Sequence, residues 1–195
     1  LAQAGLARVN VSIDSLDPQR FKALTRWGNL NDVWDGLHAA EEAGLQIKLN
    51  CVVIKGQNDG EDVIELARLT LDHPWQVRYI EVMPFGTVHG FQEAAIVPEE
   101  TLLETIRGSL GPLALQNQGL LDGEARIYRL EKARGSLGFI SSVTQPFCAG
   151  CNRARLTADG KLRLCLLRDK ELDLLPLMRN GADDEELKTM IQHSI

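Results

Sequence analysis

Three of the four cysteines, Cys148, Cys151 and Cys165, fall within eighteen residues of one another. Cys148 and Cys151 form a C-x-x-C pair, whose tight loop can turn both sulfurs toward one ion. Asp159-Gly160, a hairpin-turn dipeptide, lies between the pair and Cys165, so the third thiol can close over the same ion. Arg153 and Arg155 follow the pair at strand spacing, which places both on one face, and two guanidiniums can grip a phosphate or carboxylate bidentately. Three thiolates beside two arginines point to a soft metal centre next to an anionic ligand. Structural zinc takes four ligands, whereas His38, His73, His89 and His193 are all distant in sequence. On the residues alone three readings stay open: a [4Fe–4S] cluster with one open iron, a zinc with a remote fourth ligand, and a disulfide. The bland reading of the arginines is a solvated surface pair. Cys51, on an apolar stretch, reads as a small core residue.

A second group of chemical residues shows strand periodicity. Asn10, Ser12 and Asp14 share one face of a strand over 8–14, and Lys48 and Asn50 share one face of a strand over 46–54. Fully buried parallel strands read as unbroken apolar runs. Polar interruptions at period two therefore predict a lined cavity, as inside a barrel, where chemistry collects at the carboxyl ends of the strands. Lys48 sits deep in an apolar stretch, a costly place for an ammonium unless it meets an anion. Arg78 and Met83, on a third strand over 77–83, have opposite parity. Both reach one cavity only if that strand bulges or ends near Met83.

These residues need elements to hold them. Asn31 is expected to cap a helix through Val33, Leu37 and Ala40 that Gly44 stops, and 61–72 reads as a second helix. Strands separated by such helices imply parallel βαβ units. Gly56–Gly60 lacks the Gly-Lys-Ser/Thr ending of a phosphate loop and reads as a helix-start turn. Beyond Pro84 the pattern changes: a loop to residue 95, a helix over 98–110, strands over 124–130 and 138–143, the cysteine segment, and a helix over 183–195. A boundary near residue 90 is expected, giving domains 1–90 and 91–195.

Composition narrows the class. The 195 residues are 44% hydrophobic and 25% charged, as in a globular protein, and the net charge of −6 offers no global field for nucleic acid. No apolar run approaches the roughly 20 residues of a membrane span, and few, clustered cysteines favour a reducing cytoplasm over a secreted scaffold. The chain opens at Leu1 on what reads as the last turn of a helix and closes inside an apparent helix. A piece of a longer protein is expected.

Four segments then add up to a resemblance: R-V-N-V-S-I-D-S-L-D (8–17), I-K-L-N-C-V-V-I-K-G-Q-N-D (47–59), R-Y-I-E-V-M-P (78–84) and F-C-A-G-C-N-R-A-R-L-T-A-D-G-K-L-R-L-C-L (147–166). In this order, over essentially its whole length, the chain resembles the molybdenum cofactor biosynthesis protein A family, the GTP 3′,8-cyclases of the radical S-adenosylmethionine (SAM) enzymes. The resemblance implies an α/β fold. It would comprise the last three β/α units of an incomplete (β/α)6 radical SAM barrel and a C-terminal α+β extension carrying an iron–sulfur site. It implies that Cys148, Cys151 and Cys165 ligate an auxiliary [4Fe–4S] cluster whose open iron meets the guanine. Lys48, Arg78, Arg153, Ala154 and Arg155 would bind GTP, and Ser12 and Met83 would bind SAM. The implied lyase reaction converts GTP to 3′,8-cyclo-7,8-dihydroguanosine 5′-triphosphate, with cyclic pyranopterin monophosphate synthase as the next enzyme and a homodimer as the assembly. The family's C-x-x-x-C-x-x-C, which holds the SAM-cleaving second [4Fe–4S] cluster, is absent from these residues. The chain alone is thus expected to contain no catalytic residue and to be inactive. Thr25-Arg26-Trp27-Gly28 also departs from the family's usual Thr-Gly-Arg-type sequence. The competing readings are a radical SAM enzyme that modifies a peptide beside an auxiliary cluster, and a zinc-stabilised binding module.

Overall fold

The computed structural model describes residues 1–83, 95–116, 120–148, 151, 153–168 and 170–194. They form two compact units, one from residues 1–83 with 95–147 and one from Cys148 onward. The expected boundary near residue 90 lies outside the described residues.

In the first unit, β1 (Arg8–Ser12), β2 (Gln46–Val53) and β3 (Gln76–Glu81) pair in parallel, as their separation by helices predicts. The chain between them runs through α1 (Pro18–Thr25), α2 (Leu30–Glu42) and α3 (Glu61–Asp72). The sheet then continues: β6 (Ser136–Ile140) joins β3 in parallel, and β5 (Arg126–Leu130) and β4 (Leu113–Leu115) follow in antiparallel order. The result is a mixed sheet, β1-β2-β3-β6-β5-β4, whose first four strands are parallel. α4 (Glu99–Leu110) enters the chain between β3 and β4.

Burial explains the strand periodicity. Ile47, Leu49, Cys51 and Val53 of β2 are buried, and so are Val77 and Tyr79 of β3. They form one core with Leu37, Val63, Leu66, Leu102, Leu103 and Ile106 of the helices. Each such side chain contributes about 1.5–3 kcal/mol relative to exposure. Cys51 is a fully buried core residue, as expected, and burial pushes its thiol pKa well up. The alternate positions, including Asn10, Ser12, Lys48, Asn50 and Arg78, are partly or fully exposed on the opposite face.

Several boundaries differ from expectation. The cap of α2 is Asn29, not Asn31: the Asn29 side chain accepts from the Asn31 N–H at 3.2 Å. α1 was not foreseen, although Asp17 caps it and Pro18 opens it, the standard start signal. β3 stops at Glu81, so Met83 lies past the strand end, one of the two arrangements its parity allowed.

The second unit holds an antiparallel sheet of β7 (Arg155–Leu156), β8 (Lys161–Arg163) and β9 (Glu171–Asp173). Two helices follow, α5 (Leu175–Arg179) and α6 (Asp184–Ser194). A capping box starts α6: Asp183 accepts from the Glu186 N–H while Glu186 accepts from the Asp183 N–H. Among the described residues no helix is long and apolar enough to cross a membrane.

Candidate functional site

In the first unit the chemistry lies on the polar face of the parallel strands. Register sets Asn10, Lys48 and Gln76 side by side across β1, β2 and β3, and Ser12, Asn50 and Arg78 in the next row. Arg78 donates from Nε to Asn50 Oδ1 at 2.8 Å and from Nη2 to Asn10 Oδ1 at 3.0 Å. Two neutral oxygens thus orient the guanidinium without adding charge. Burial is the main cause that lowers its pKa, and its value starts so high that it stays charged. Lys48 meets the anion its position demands, but that anion is protein: Nζ donates to Asp122 Oδ2 at 3.0 Å. Gln76 Nε2 donates to the same oxygen at 3.2 Å. Hydrogen bonds from Lys48 and then Gln76 hold the Asp122 carboxyl below its ordinary range, so it is ionised at neutral pH. A cavity of about 650 Å³ at the amino ends of the strands is lined by Arg8, Lys48, Gln76 and Asp122 among others. Ser12 is exposed at the end of β1, and Met83 is half-buried two residues past β3.

At the carboxyl end of β3, buried Glu81 accepts from the Val143 and Thr144 N–H groups at 2.6 and 3.0 Å and from Thr144 Oγ1 at 2.6 Å. This carboxylate fixes the turn a few residues before Cys148.

The second unit carries the thiols. Cys148 and Cys151 are exposed and Cys165 is half-buried; all three are free of disulfides. The Cys151 N–H donates to the Cys148 carbonyl at 3.2 Å, which holds the two cysteines close together. The Leu167 N–H donates to Cys165 Sγ at 3.4 Å. The expected hairpin is present, with Gly160 at φ +80. Donor chemistry therefore fits a thiolate-bound soft metal or cluster. Among the described residues, however, no three His, Cys, Asp or Glu side chains converge as a metal-holding group.

Only Arg155 of the arginine pair lies in a strand, and it is exposed, as is Ala154. Arg153 is half-buried outside β7. Arg155 stands directly opposite Arg163 in the β7–β8 pairing. Glu171 neutralises Arg163 by accepting hydrogen bonds from its Nε and Nη2, so the two facing arginines do not present a doubled charge. The residues that sequence reasoning missed are Asp122, Gln76 and Glu81. Asp122 had one local signal, the Asp-Gly turn at 122–123, but nothing local names a partner 74 positions away.

Comparison with known proteins bears on both units. The Molybdenum Cofactor Synthesis C family matches residues 75–195, and the Radical SAM superfamily matches residues 1–70. The GTP 3′,8-cyclases of Pelotomaculum thermopropionicum and Thermodesulfovibrio yellowstonii are each 43% identical over 196 aligned positions, covering 100% of this chain and 60% of the relative. That of Desulforamulus reducens is 42% identical with the same coverage. The chain thus spans about 60% of the length of the curated relatives it matches.

Proposed function

The chain belongs to the Molybdenum Cofactor Synthesis C family, and from that premise we propose that it is the substrate-holding part of a GTP 3′,8-cyclase. In this reading β1, β2 and β3 with their helices are the last units of an incomplete (β/α)6 radical SAM barrel. Residues 1–90 belong to the barrel, and residues 91–195 form the molybdenum cofactor synthesis domain.

The observation that carries the reading is the polar sheet face. Lys48 borders a cavity, and a doubly anchored Arg78 stands one row further along on the adjacent parallel strand. That is a face suited to a highly charged phosphate chain. Arg153, Ala154 and Arg155 complete GTP binding, and Ser12 and Met83 contact SAM. Cys148, Cys151 and Cys165 hold an auxiliary [4Fe–4S] cluster, which when bound supplies an open iron for the guanine. The chain's own residues bind and orient GTP, while the SAM-cleaving motif is absent from these 195 residues. The reading also carries a cytoplasmic location, a homodimer, and cyclic pyranopterin monophosphate synthase as the next enzyme.

The test is anaerobic reconstitution of the full-length protein with iron and sulfide, followed by assay with GTP and SAM. GTP-dependent SAM cleavage and a cyclised nucleotide are expected; their absence overturns the reading. Replacing Arg153 and Arg155 with alanine should weaken GTP binding strongly. Unchanged binding would favour a peptide-modifying radical SAM enzyme. Stoichiometric zinc without visible iron–sulfur absorbance would favour a zinc-stabilised module.

A further inference from the structure

Two hydrogen-bond donors from neighbouring strands converge on a single oxygen. Lys48 Nζ lies 3.0 Å and Gln76 Nε2 3.2 Å from Asp122 Oδ2. Lys48 and Gln76 stand opposite each other in the β2–β3 register, so the strands themselves fix their spacing. The Lys48 side chain is only 14% exposed, so its ammonium has lost much of its water. Asp122 is seated by a reciprocal backbone pair with Ala125, at 2.9 and 3.2 Å. It arrives from a turn rather than from the sheet. Its carboxylate is 45% exposed and borders the cavity that also contains Lys48 and Gln76. A carboxylate oxygen and a phosphoryl oxygen ask for the same donors at the same distances.

We propose that Lys48 and Gln76 form an anion hole that Asp122 occupies as an internal stand-in, and that a phosphate of the substrate displaces Asp122 from it. This rests on the reading of Lys48 as a substrate-binding residue and adds Gln76 to that set. Displacement exchanges one anion for another, so the ammonium is never left buried without a partner. The carboxylate acts as an intramolecular competitor. It holds the two donors in place before substrate arrives and weakens substrate binding by the strength of the pair it forms.

The experiment is calorimetric titration of the full-length protein, without SAM, with GTP and separately with inorganic tripolyphosphate. Asp122→Asn keeps the shape and removes the competing charge, and should tighten both ligands about 2- to 5-fold, the range of a partly exposed ion pair. Gln76→Leu should weaken both. In a Lys48→Met background Asp122→Asn should change nothing. A merely structural role for Asp122 predicts weaker binding in Asp122→Asn, because damage does not tighten a site. Unchanged or weaker binding in Asp122→Asn, or equal tightening without Lys48, overturns the proposal. Tripolyphosphate binding in the expected rank order with no GTP binding would support the anion hole and remove the guanine nucleotide reading.

Discussion

Arg78 and Gly138 stand directly opposite each other on adjacent parallel strands, and the glycine leaves the space that the arginine stem occupies. A methyl group at Gly138 would lie 3.0 Å from Arg78 Cγ and 3.2 Å from Ala125 Cβ. The absent side chain on β6 is thus part of how Arg78 reaches Asn50 and Asn10. Gly138→Val should push the guanidinium off both oxygens and overpack the strand. A loss of about 1–3 kcal/mol in urea denaturation is expected, with Gly138→Ala markedly milder.

Glu99 opens α4, where a negative charge suits the helix dipole. In the fold its side chain is only 2% exposed. It accepts from Arg126 Nε at 3.0 Å and Nη2 at 2.5 Å, from Ser141 Oγ at 2.7 Å and from Tyr128 Oη at 3.3 Å. Removing one partner leaves the rest without their acceptor. Glu99→Ala should cost about 3–5 kcal/mol, seen as a lower denaturation midpoint with an unchanged slope.

Arg26 has φ +68, in the region that favours glycine, at the position where the chain departs from the Thr-Gly-Arg pattern. Beside it Trp27 is 93% exposed, and Gly28 is packed against Thr25 and Phe21, so the turn cannot simply relax. Backbone strain of this kind costs on the order of 1–3 kcal/mol, and glycine gives back about 0.5–1 through unfolded-state entropy. Arg26→Gly should therefore stabilise the protein by about 1 kcal/mol, read as a rise of a few degrees in Tm.

Asp14 supplies a pH test. Burial raises its carboxyl above the ordinary 3.8, opposed by the hydrogen bond from the Val52 N–H at 2.8 Å. A raised acid binds its proton more readily folded than unfolded. Its ionisation therefore subtracts stability as pH rises through the folded value, and that loss is relieved as pH falls toward 3.8. Asp14→Asn, which keeps the acceptor for Val52, should be more stable than wild type at pH 7. The gap should close near pH 4; a gap that widens on acidification would contradict this account.

Much of the framework is legible locally. The alternation in Gln46–Val53 and the 3.6-residue apolar repeat in Glu61–Asp72 each report a half-buried face through neighbours in sequence. The Asp-Gly dipeptide at 159–160 states its own turn, because the positive φ there is a property of one residue. α1 was missed although Asp17-Pro18 marked it, since its single buried residue, Phe21, gives no periodic stripe.

What the sequence by itself determined is the set of chemical groups and the local elements that carry them: three thiols around a hairpin, and Lys48 and Arg78 on the polar faces of strands. Both follow from period, turn chemistry and spacing, which act over a few residues. Only the tertiary structure decided who meets whom. It joined β6 to β3, seated Arg78 over Gly138, gave Glu171 to Arg163, and set Asp122 between Lys48 and Gln76. Those pairings come from sheet order and from the need of each buried charge for an opposite one. Neither leaves a trace in the residues next to it.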